Sequence, residues 1–304
     1  LVNAVCGAGK TELVYGIIAY CLSLGKTVAF AVPRRDVVIE LLLRIKEVFS
    51  HNKVIAVYGG HTSSLTGDVV VLTTHQLYRY DNYFDLIILD EIDAFPFKNN
   101  PLLKSMFNRA KKGNIIMMSA TPSKDIISYF SAQNRSILEL NTRFHRHPLP
   151  VPKTIAKLGY FKFFYLIKKL KQFKKQKKKV FVFTPTIEKC ELVFRILSVF
   201  VDGGSYVHSK CPNRTEIIKN FKEGDGAYLV TTAVLERGVT FKNLQVIIFD
   251  ADHKLYDSQA LIQIAGRVGR KIDAPEGEVI FLVNKPTLAT NEAIRTIESK
   301  NASL

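Results

Sequence analysis

The protein has 304 residues, 47% of them hydrophobic, with 17 glycines and 11 prolines, which fits about two globular domains and excludes a disordered chain. Its 43 Lys and Arg exceed its 27 Asp and Glu, so the formal net charge is +16 and favours a polyanionic partner, either nucleic acid or an acidic membrane face. No apolar run approaches the roughly 18 residues of a membrane-spanning helix. The four cysteines are too scattered for a C-x-x-C metal site or an obvious disulfide framework.

The first motif is a glycine loop between a predicted strand, residues 1–5, and a predicted helix, residues 12–20. Such a loop is typical of a nucleotide site, because bare backbone amides converge on phosphates at a helix N-terminus. An ordinary tight turn is the alternative. The candidate nucleotide-binding residues are Cys6, Gly7, Ala8, Gly9, Lys10, whose ammonium would reach the outer phosphates, and Thr11, whose hydroxyl would bind Mg²⁺. Ala4 replaces the first glycine of the general P-loop pattern.

Strands then alternate with helices, which predicts a parallel sheet covered by helices on both faces. The predicted elements are a strand at 27–32, a helix at 36–49, and strands at 54–58, 68–72, 84–89 and 114–118. Active chemistry is expected at the carboxyl ends of these strands.

An apolar strand ends in a pair of carboxylates, Asp90 and Glu91. In phosphoryl transfer one carboxylate anchors Mg²⁺ and a neighbour activates the attacking water, and Asp90 suits the first role and Glu91 the second. Three small residues close another strand, Ser119, Ala120 and Thr121. Together with Asp93 they are candidates for coupling the nucleotide site to domain motion, with a simple strand-end turn as the alternative for residues 119–121.

Three prolines at 148, 150 and 152 interrupt the alternation and predict a stiff connector outside any sheet. We therefore predict a first domain over residues 1–147, a Pro-rich linker over 148–156, and a second α/β domain over 157–304. Its predicted strands lie at 180–184, 206–208, 227–231, 244–250 and 278–283.

The informative stretch of the second domain runs from Gln263 to Arg270. Arg267 and Arg270, spaced by three, are predicted to share one helical face, and a guanidinium fork is the group of choice for phosphate. An arginine at the γ-phosphate contributes a factor of about 10³ to 10⁵ in rate. We expect both to reach across a cleft to the nucleotide, with ordinary solvent exposure as the alternative.

A lysine run forms the most basic part of the chain. Between Leu140 and Ile187 there is no Asp or Glu, while thirteen Lys and Arg occur. Eight lysines, at 168, 169, 171, 174, 175 and 177–179, crowd the end of a predicted helix whose apolar face is Phe163, Phe164, Ile167 and Leu170. The run is open to three interpretations: a solvated face, a surface for nucleic-acid phosphates, or one for an anionic membrane leaflet.

Taken in order, these motifs resemble those of superfamily 2 helicases, and the P-loop form with Ala4 is typical of that group. The resemblance implies two tandem RecA-like domains of the P-loop NTPase type. Lys10, Asp90, Glu91, Gln263, Arg267 and Arg270 would then act in ATP hydrolysis, Thr11 and Asp90 would hold Mg²⁺, and Gly238 and Thr240 would also bind ATP. The stretches that resemble nucleic-acid contacts are Pro33, Arg34, Arg35, Gly59, Gly60, Thr73, Thr74 and His75 in the first domain, and Thr184, Pro185, Thr231 and Thr232 in the second.

Within that group, residues 31–37, 73–77, 90–96 and 143–150 resemble the ComFA family of late competence proteins. The resemblance implies a cytoplasmic ATPase, peripheral to the inner face of the membrane. Single-stranded DNA would stimulate it, and with other competence proteins it would draw transforming DNA through the inner-membrane channel. It also implies a four-cysteine zinc module upstream of Leu1, and no such cluster occurs in this chain. The alternatives are a replication-restart duplex helicase of the PriA type and a non-catalytic DNA- or membrane-binding module. Oligomeric state stays open.

Overall fold

The computed structural model describes residues 1–5, 7–62, 64–92, 101–232 and 241–302, without the side chains of residues 124, 125 and 129. The chain divides into two compact units, Leu1–Leu140 and Asn141–Leu304. Each unit is built on a parallel sheet covered by helices. The predicted fold class, two tandem RecA-like α/β domains, is confirmed.

The first unit contains one seven-stranded sheet. Its elements are β1 (Val2–Ala4), α1 (Lys10–Leu13), α2 (Tyr15–Ser23), β2 (Val28–Val32), α3 (Arg35–Val48), β3 (Val54–Val57), β4 (Val69–Thr73), a 3₁₀ helix (Thr74–Arg79), β5 (Phe84–Asp90), α4 (Pro101–Ala110), β6 (Lys111–Ser119), α5 (Lys124–Ala132) and β7 (Leu138–Leu140). The strand order is β3-β4-β2-β5-β6-β1-β7, and each neighbouring pair is parallel.

The sequence explains this arrangement at the centre of the sheet. All five residues of β2 are buried, as expected for a parallel strand whose two faces are both covered by helices. On α3, Val38, Leu41 and Ile45 repeat at helical spacing and are the buried residues of that helix. The sheet therefore has one apolar core on each side, and its polar residues are left to the strand ends.

The second unit contains one six-stranded sheet. Its elements are β8 (Lys153–Ala156), α6 (Phe161–Lys175), β9 (Lys179–Phe183), α7 (Ile187–Phe200), β10 (Gly204–Val207), α8 (Arg214–Glu223), β11 (Tyr228–Thr231), β12 (Leu244–Phe249), α9 (Ser258–Ala265), β13 (Val279–Val283) and α10 (Leu288–Asn301). The strand order is β10-β11-β9-β12-β13-β8, again with parallel pairs.

The predicted linker over residues 148–156 is wrong in its last four residues. Lys153–Ala156 forms β8, which pairs in parallel with β13. The strand begins directly after Pro152, because a proline lacks the N–H that a sheet ladder needs. The preceding segment is also fixed, since the side chain of Asn301 accepts from the Leu149 N–H and donates to its carbonyl, each over 2.8 Å. The second unit accordingly starts at Asn141.

The predicted apolar face of the lysine-rich helix is wrong at Phe164, which is 69% exposed. Leu170 is buried in the core, and Phe163 and Ile167 pack against it, as predicted. The buried face also includes Lys162, because this lysine forms a buried ion pair with Asp250 at the end of β12 and its aliphatic stem packs like an apolar side chain.

Candidate functional site

The P-loop lies at the carboxyl end of β1, as the sequence predicts. Gly7 and Gly9 have φ angles of +87° and +81°, a left-handed conformation that suits glycine because it has no Cβ. Gly9 is the N-cap of α1, so Lys10 and Thr11 stand in its first turn. The amide of Ala8 donates to the carbonyl of Val5 over 3.1 Å and closes the loop. This geometry turns the chain at a helix N-terminus, where backbone amides attract phosphate.

The acidic strand end, Asp90–Glu91, lies where β5 finishes. The Glu91 amide donates to Oδ1 of Asp90 over 2.9 Å, and Glu91 itself has a φ of +57°. A non-glycine residue in this region stores about 1–2 kcal/mol of strain, and such strain is often found at functional sites. The turn places two carboxylates side by side directly after a buried strand.

Strand order brings the P-loop and the acidic strand end to the same edge of the sheet. Only β6 lies between β1 and β5, with Met118 in register with both Val2 and Asp90. At about 4.8 Å per strand, the two backbones are roughly 10 Å apart. Ser119 ends the intervening strand, is fully buried, and accepts from the Thr121 amide over 2.9 Å. The coupling candidates Ser119, Ala120 and Thr121 therefore stand between the two predicted halves of the phosphate site.

The donor set fits the predicted Mg²⁺. A magnesium ion in phosphoryl transfer is bound through one or two protein oxygens and the substrate phosphates, which Thr11 and Asp90 would supply. Among the described residues, no group of three or more His, Cys, Asp or Glu side chains could hold a metal by itself.

The predicted nucleic-acid contacts of the first unit follow three neighbouring strands, β3, β4 and β2. Pro33, Arg34 and Arg35 follow β2, Gly59 and Gly60 follow β3, and Thr73, Thr74 and His75 stand at the end of β4. The predicted phosphate-site residues follow β5 and β1, and the predicted coupling residues follow β6; these strands complete the same edge apart from β7. This edge of the sheet thus has two adjoining halves: the predicted nucleic-acid contacts follow β3, β4 and β2, and the predicted phosphate site lies at β5, β6 and β1.

The β3 half contains a stacked pair of rings that sequence reasoning missed, of which His61 is exposed and Tyr58 is buried. Tyr58 and His61 stack with ring centroids 4.8 Å apart, and the Arg35 guanidinium lies 5.0 Å from the Tyr58 ring centroid. Exposed Gly59 and Gly60 form the turn between the two rings, with Gly60 at a φ of +79°. The signal was present as two aromatic rings flanking a glycine pair.

In the second unit the predicted contact residues are close together but mostly buried. Thr184, Thr231 and Thr232 are at most 8% exposed. The Thr184 hydroxyl donates to the Thr231 carbonyl over 3.2 Å, and the Thr231 hydroxyl donates to the Thr232 carbonyl over 3.1 Å. The Thr184 hydroxyl therefore ties the end of β9 to β11, and Pro185 is the more accessible member of the set.

The predicted helical face of Arg267 and Arg270 is wrong. The helix α9 ends at Ala265 with Gly266 as its C-cap, so both arginines lie in the turn that follows, the arginine loop (Gly266–Arg270). Gln263 is buried on α9, and Arg267 is only 1% exposed, which rules out an ordinary solvated side chain. Nε of Arg270 donates to the Gly266 carbonyl over 2.9 Å.

The arginine loop is held by Arg143, which the sequence analysis included only in the ComFA-like stretch 143–150. The guanidinium of Arg143, 2% exposed, donates from Nη1 to the carbonyls of Val268 and Gly269 over 2.8 and 2.7 Å, and from Nη2 to Gly266 over 3.2 Å. Nε2 of His145 lies 2.9 Å from the same Gly269 oxygen. Burial lowers the pKa of His145, so the ring donates to that carbonyl in its neutral form.

Four predicted site residues lie outside the described residues: Cys6, Asp93, Gly238 and Thr240. Their assignments stay predictions. Within the described ranges, no helix has both the length and the apolar content to cross a bilayer.

Comparison with known proteins gives the class to which this architecture belongs. A DEAD/DEAH box helicase domain model matches residues 1–128, and a helicase conserved C-terminal domain model matches residues 162–271. Among solved structures, S. cerevisiae Dbp5 bound to RNA and ADP BeF3 has a TM-score of 0.74 at 17% identity, over 100% of this chain and 83% of that chain. Mss116p bound to single-stranded RNA and AMP-PNP has a TM-score of 0.75 at 20% identity, over 99% of this chain and 68% of that one. The protein is an ATP-dependent hydrolase of the superfamily 2 helicase class.

Two relatives identify the family within this class of helicases. Competence protein ComFA of Streptococcus pneumoniae is 35% identical over 99% of this chain and 72% of its own length. That of Bacillus subtilis is 33% identical over 99% of this chain and 67% of its own length. The chain belongs to the ComFA family of competence proteins, and it is a helicase-type motor of competence.

Proposed function

We propose that this motor hydrolyses ATP under stimulation by single-stranded DNA and moves that strand during the import of transforming DNA. The observation that carries the proposal is the division of one sheet edge, with predicted nucleotide residues after β5 and β1, predicted coupling residues after β6 between them, and predicted DNA contacts after β3, β4 and β2. Strands β2 and β5 are direct neighbours with Ala31 in register with Leu89. A shift at one half is therefore transmitted through a hydrogen-bonded ladder to the other.

In this proposal each charged group has one task. Lys10 and the P-loop amides bind the phosphates, while Thr11 and Asp90 hold Mg²⁺, which when bound neutralises phosphate charge. Glu91 orients the attacking water and takes its proton. Arg267 and Arg270 stabilise charge that develops on the transferred phosphoryl group, and Gln263 supports them from α9.

The basic groups after β2 and the exposed His61 ring after β3 support the choice of a single strand as substrate. Arg34 is held by Asp36 over 2.6 Å, and Arg35 lies over the buried Tyr58 ring, on which His61 stacks. Unpaired bases stack on an exposed ring such as that of His61, whereas the bases of a duplex are already stacked. Family membership supports the further assignment, that the motor works peripherally at the inner membrane with other competence proteins.

The test is ATP turnover with and without single-stranded DNA, for the parent protein and for Glu91→Gln. Because a general base contributes about 10²–10⁴-fold, we expect turnover to fall by at least about a hundredfold. The matched control is Glu47→Gln, an exposed glutamate of α3, which should leave turnover unchanged. Turnover of Glu91→Gln near the parent value would remove Glu91 from its role.

Two further outcomes would replace the proposal. A parent protein that hydrolyses no ATP under any DNA condition would return the chain to a non-catalytic binding module. Efficient ATP-dependent separation of forked DNA would instead favour a replication-restart duplex helicase, since a translocase of single strands is expected to hydrolyse ATP without unwinding the fork.

A further inference from the structure

The lysine-rich helix α6 has two apolar stripes, and only one of them is buried. Leu166, Leu170 and Phe173 face the core of the second unit together with Lys162. The other stripe, which we call the outer stripe, consists of three aromatic residues followed by a lysine: Phe161, Phe164, Tyr165 and Lys168. Their spacing is i, i+3, i+4 and i+7, so these residues share a face of the helix. Phe161 and Phe164 are each 69% exposed. A water-exposed aromatic stripe on a well-packed domain marks a binding surface.

The outer stripe forms one wall of a pocket of about 650 Å³, within the range of ligand sites. Lys157 and Leu158, which follow β8, and Asn284, which follows β13, contribute the opposite wall. Asn284 is fixed there, because its backbone N–H and Nδ2 both donate to Oδ2 of Asp252, over 3.1 and 3.0 Å. The helix is equally fixed by the buried ion pair of Lys162 with Asp250. The pocket is therefore preformed between two anchored elements.

The pocket lies on the edge of the second sheet that contains the predicted DNA contacts. Ala156 and Val283, at the carboxyl ends of β8 and β13, are in register, and Thr184 follows β9, three strands away from β8 in the order β9-β12-β13-β8. At about 4.8 Å per strand this separation is roughly 14 Å. A flexible strand bound at Pro185 can continue along the edge and reach the pocket.

We propose that this pocket is a second single-stranded-DNA subsite, in which unpaired bases stack on Phe161 and Phe164 while Lys157 and Lys168 contact the phosphates. The inference rests on the proposed function and adds a location and a contact chemistry to it. Charge favours a polyanion, since residues 141–187 contain no Asp or Glu. The pocket is open to solvent but is bounded both by α6 and by the residues that follow β8 and β13, which favours a discrete ligand such as a base over a flat bilayer surface. Exposed rings interleaved with lysines are what sequence-tolerant single-strand binding requires.

The experiment measures binding of a fluorescent oligothymidylate as a function of salt. Because each stacked base contributes enough to change affinity by about tenfold, Phe161→Ala/Phe164→Ala should bind at least about tenfold more weakly with an unchanged salt slope. Lys157→Ala/Lys168→Ala should lower that slope by roughly 1.4, at about 0.7 for each phosphate contact on a single strand. The matched controls, Phe200→Ala on α7 and Lys219→Ala on α8, are exposed residues outside the pocket and should change neither quantity.

Three outcomes would overturn the subsite. One is parent-like affinity of the double phenylalanine variant. Another is equal binding of an abasic oligonucleotide of the same length by the parent, because stacking needs bases. The third is loss of binding to phosphatidylglycerol vesicles by that variant with DNA binding intact, which would assign the surface to a membrane.

ATP turnover separates this inference from the proposed function. The double phenylalanine variant should keep the parent's turnover in the absence of DNA and need about tenfold more DNA for half-maximal stimulation. A parent protein that DNA does not stimulate would contradict the proposed function while the binding comparison still decides the subsite.

Discussion

The acidic strand end of the first unit and the arginine loop of the second are positioned by different means. Asp90 is the last residue of a strand, so the sheet ladder places it, and Glu91 follows directly. The arginine loop follows a helix C-terminus and lies on no strand. Three hydrogen bonds from a side chain more than a hundred residues away in sequence hold its backbone. A local stretch of sequence is therefore enough to position Asp90 and Glu91, whereas the arginine loop depends on Arg143, which is distant in sequence.

The largest loss of stability should come from replacing Arg143, which holds the arginine loop. Arg143→Met keeps a long side chain but leaves the buried carbonyls of Val268 and Gly269 without the guanidinium donor. Among the described carbonyls that Arg143 binds, only that of Val268 is then unsatisfied, because Gly269 keeps His145 and Gly266 keeps Arg270 as donors. At about 1–3 kcal/mol for that group and about 0.5–1.5 kcal/mol for each of the other two lost hydrogen bonds, we expect the free energy of unfolding of the second unit to fall by about 4 kcal/mol. Urea denaturation measures this loss, and hydrogen exchange assigns it to a unit.

The ATP turnover of Arg143→Met should show whether Arg143 positions the arginine loop for catalysis or only stabilises the fold. Under conditions where Arg143→Met is folded, kcat for ATP should fall while the KM for ATP changes little, because Arg143 acts through the loop and not on the P-loop. Arg143→Lys, which retains the charge and a single donor group, should recover part of both losses. A variant with parent-like kcat would show that the loop is positioned without Arg143.

A smaller loss should follow from Gly269→Ala, which tests the same loop from its backbone. Gly269 has a φ of +68°, and a Cβ there would lie 2.0 Å from the carbonyl oxygen of Pro275. Strain and overlap together should lower the free energy of unfolding by about 2–3 kcal/mol. Gly60→Ala is the control, since Gly60 has a φ of +79° with nothing within 4 Å of its Cβ position, and it should cost only about 1 kcal/mol. Equal losses at both positions would contradict the tight packing of the loop.

The contrast also explains what the sequence could predict. The P-loop and Asp90–Glu91 are contiguous motifs at the ends of mostly apolar strands, so their placement could be predicted from the sequence. Arg143 was visible only as part of a proline-rich segment, because its partners are backbone carbonyls, which leave no mark in a sequence. The predicted helical face of Arg267 and Arg270 was wrong, although the sequence contained the signal that the helix ends earlier. Gly266 is a favourable helix C-cap and ends α9 before either arginine.

The edge strands β7 and β8 were also not predicted from the sequence. β7 and β8 are short, and most of their residues are at least partly exposed, so neither has the uniform apolar run that revealed the central strands. For α6, Lys162 hides the true core face, because its partner Asp250 lies 88 residues away in sequence. Single-sequence periodicity cannot detect a lysine that is buried through a distant carboxylate.

A further test addresses how β5 is held in the sheet that presents Asp90. Oδ2 of Asp85 accepts from the amide and hydroxyl of Thr27, over 3.0 and 3.1 Å. The Thr27 amide, as the largest cause, holds the pKa of this carboxyl below its ordinary value despite partial burial. The unfolded chain therefore binds this proton more readily, so the stabilisation is present above the unfolded pKa and is lost as the pH falls through the folded pKa.

Asp85→Asn should consequently lower the free energy of unfolding of the first unit by about 1–2 kcal/mol at neutral pH. The difference from the parent should shrink as the solution is acidified below the ordinary range of an aspartate. Thermal unfolding measured across that pH range checks both statements, and Asp81→Asn, an exposed carboxylate, serves as the control. A difference that is constant with pH would contradict the role of the charge.

The smallest effect has the opposite sign and lies at Glu91. Its left-handed φ of +57° is strained for a glutamate and free of strain for a glycine, so Glu91→Gly should raise the free energy of unfolding by about 1 kcal/mol. The same variant lacks the carboxylate assigned to the attacking water and should lose ATP turnover as fully as Glu91→Gln. Greater stability combined with lost turnover would identify Glu91 as a position where strain is kept for catalysis. A destabilised Glu91→Gly would instead mean that the glutamate side chain contributes to packing, and the acidic strand end would then depend on side-chain contacts much as the arginine loop does.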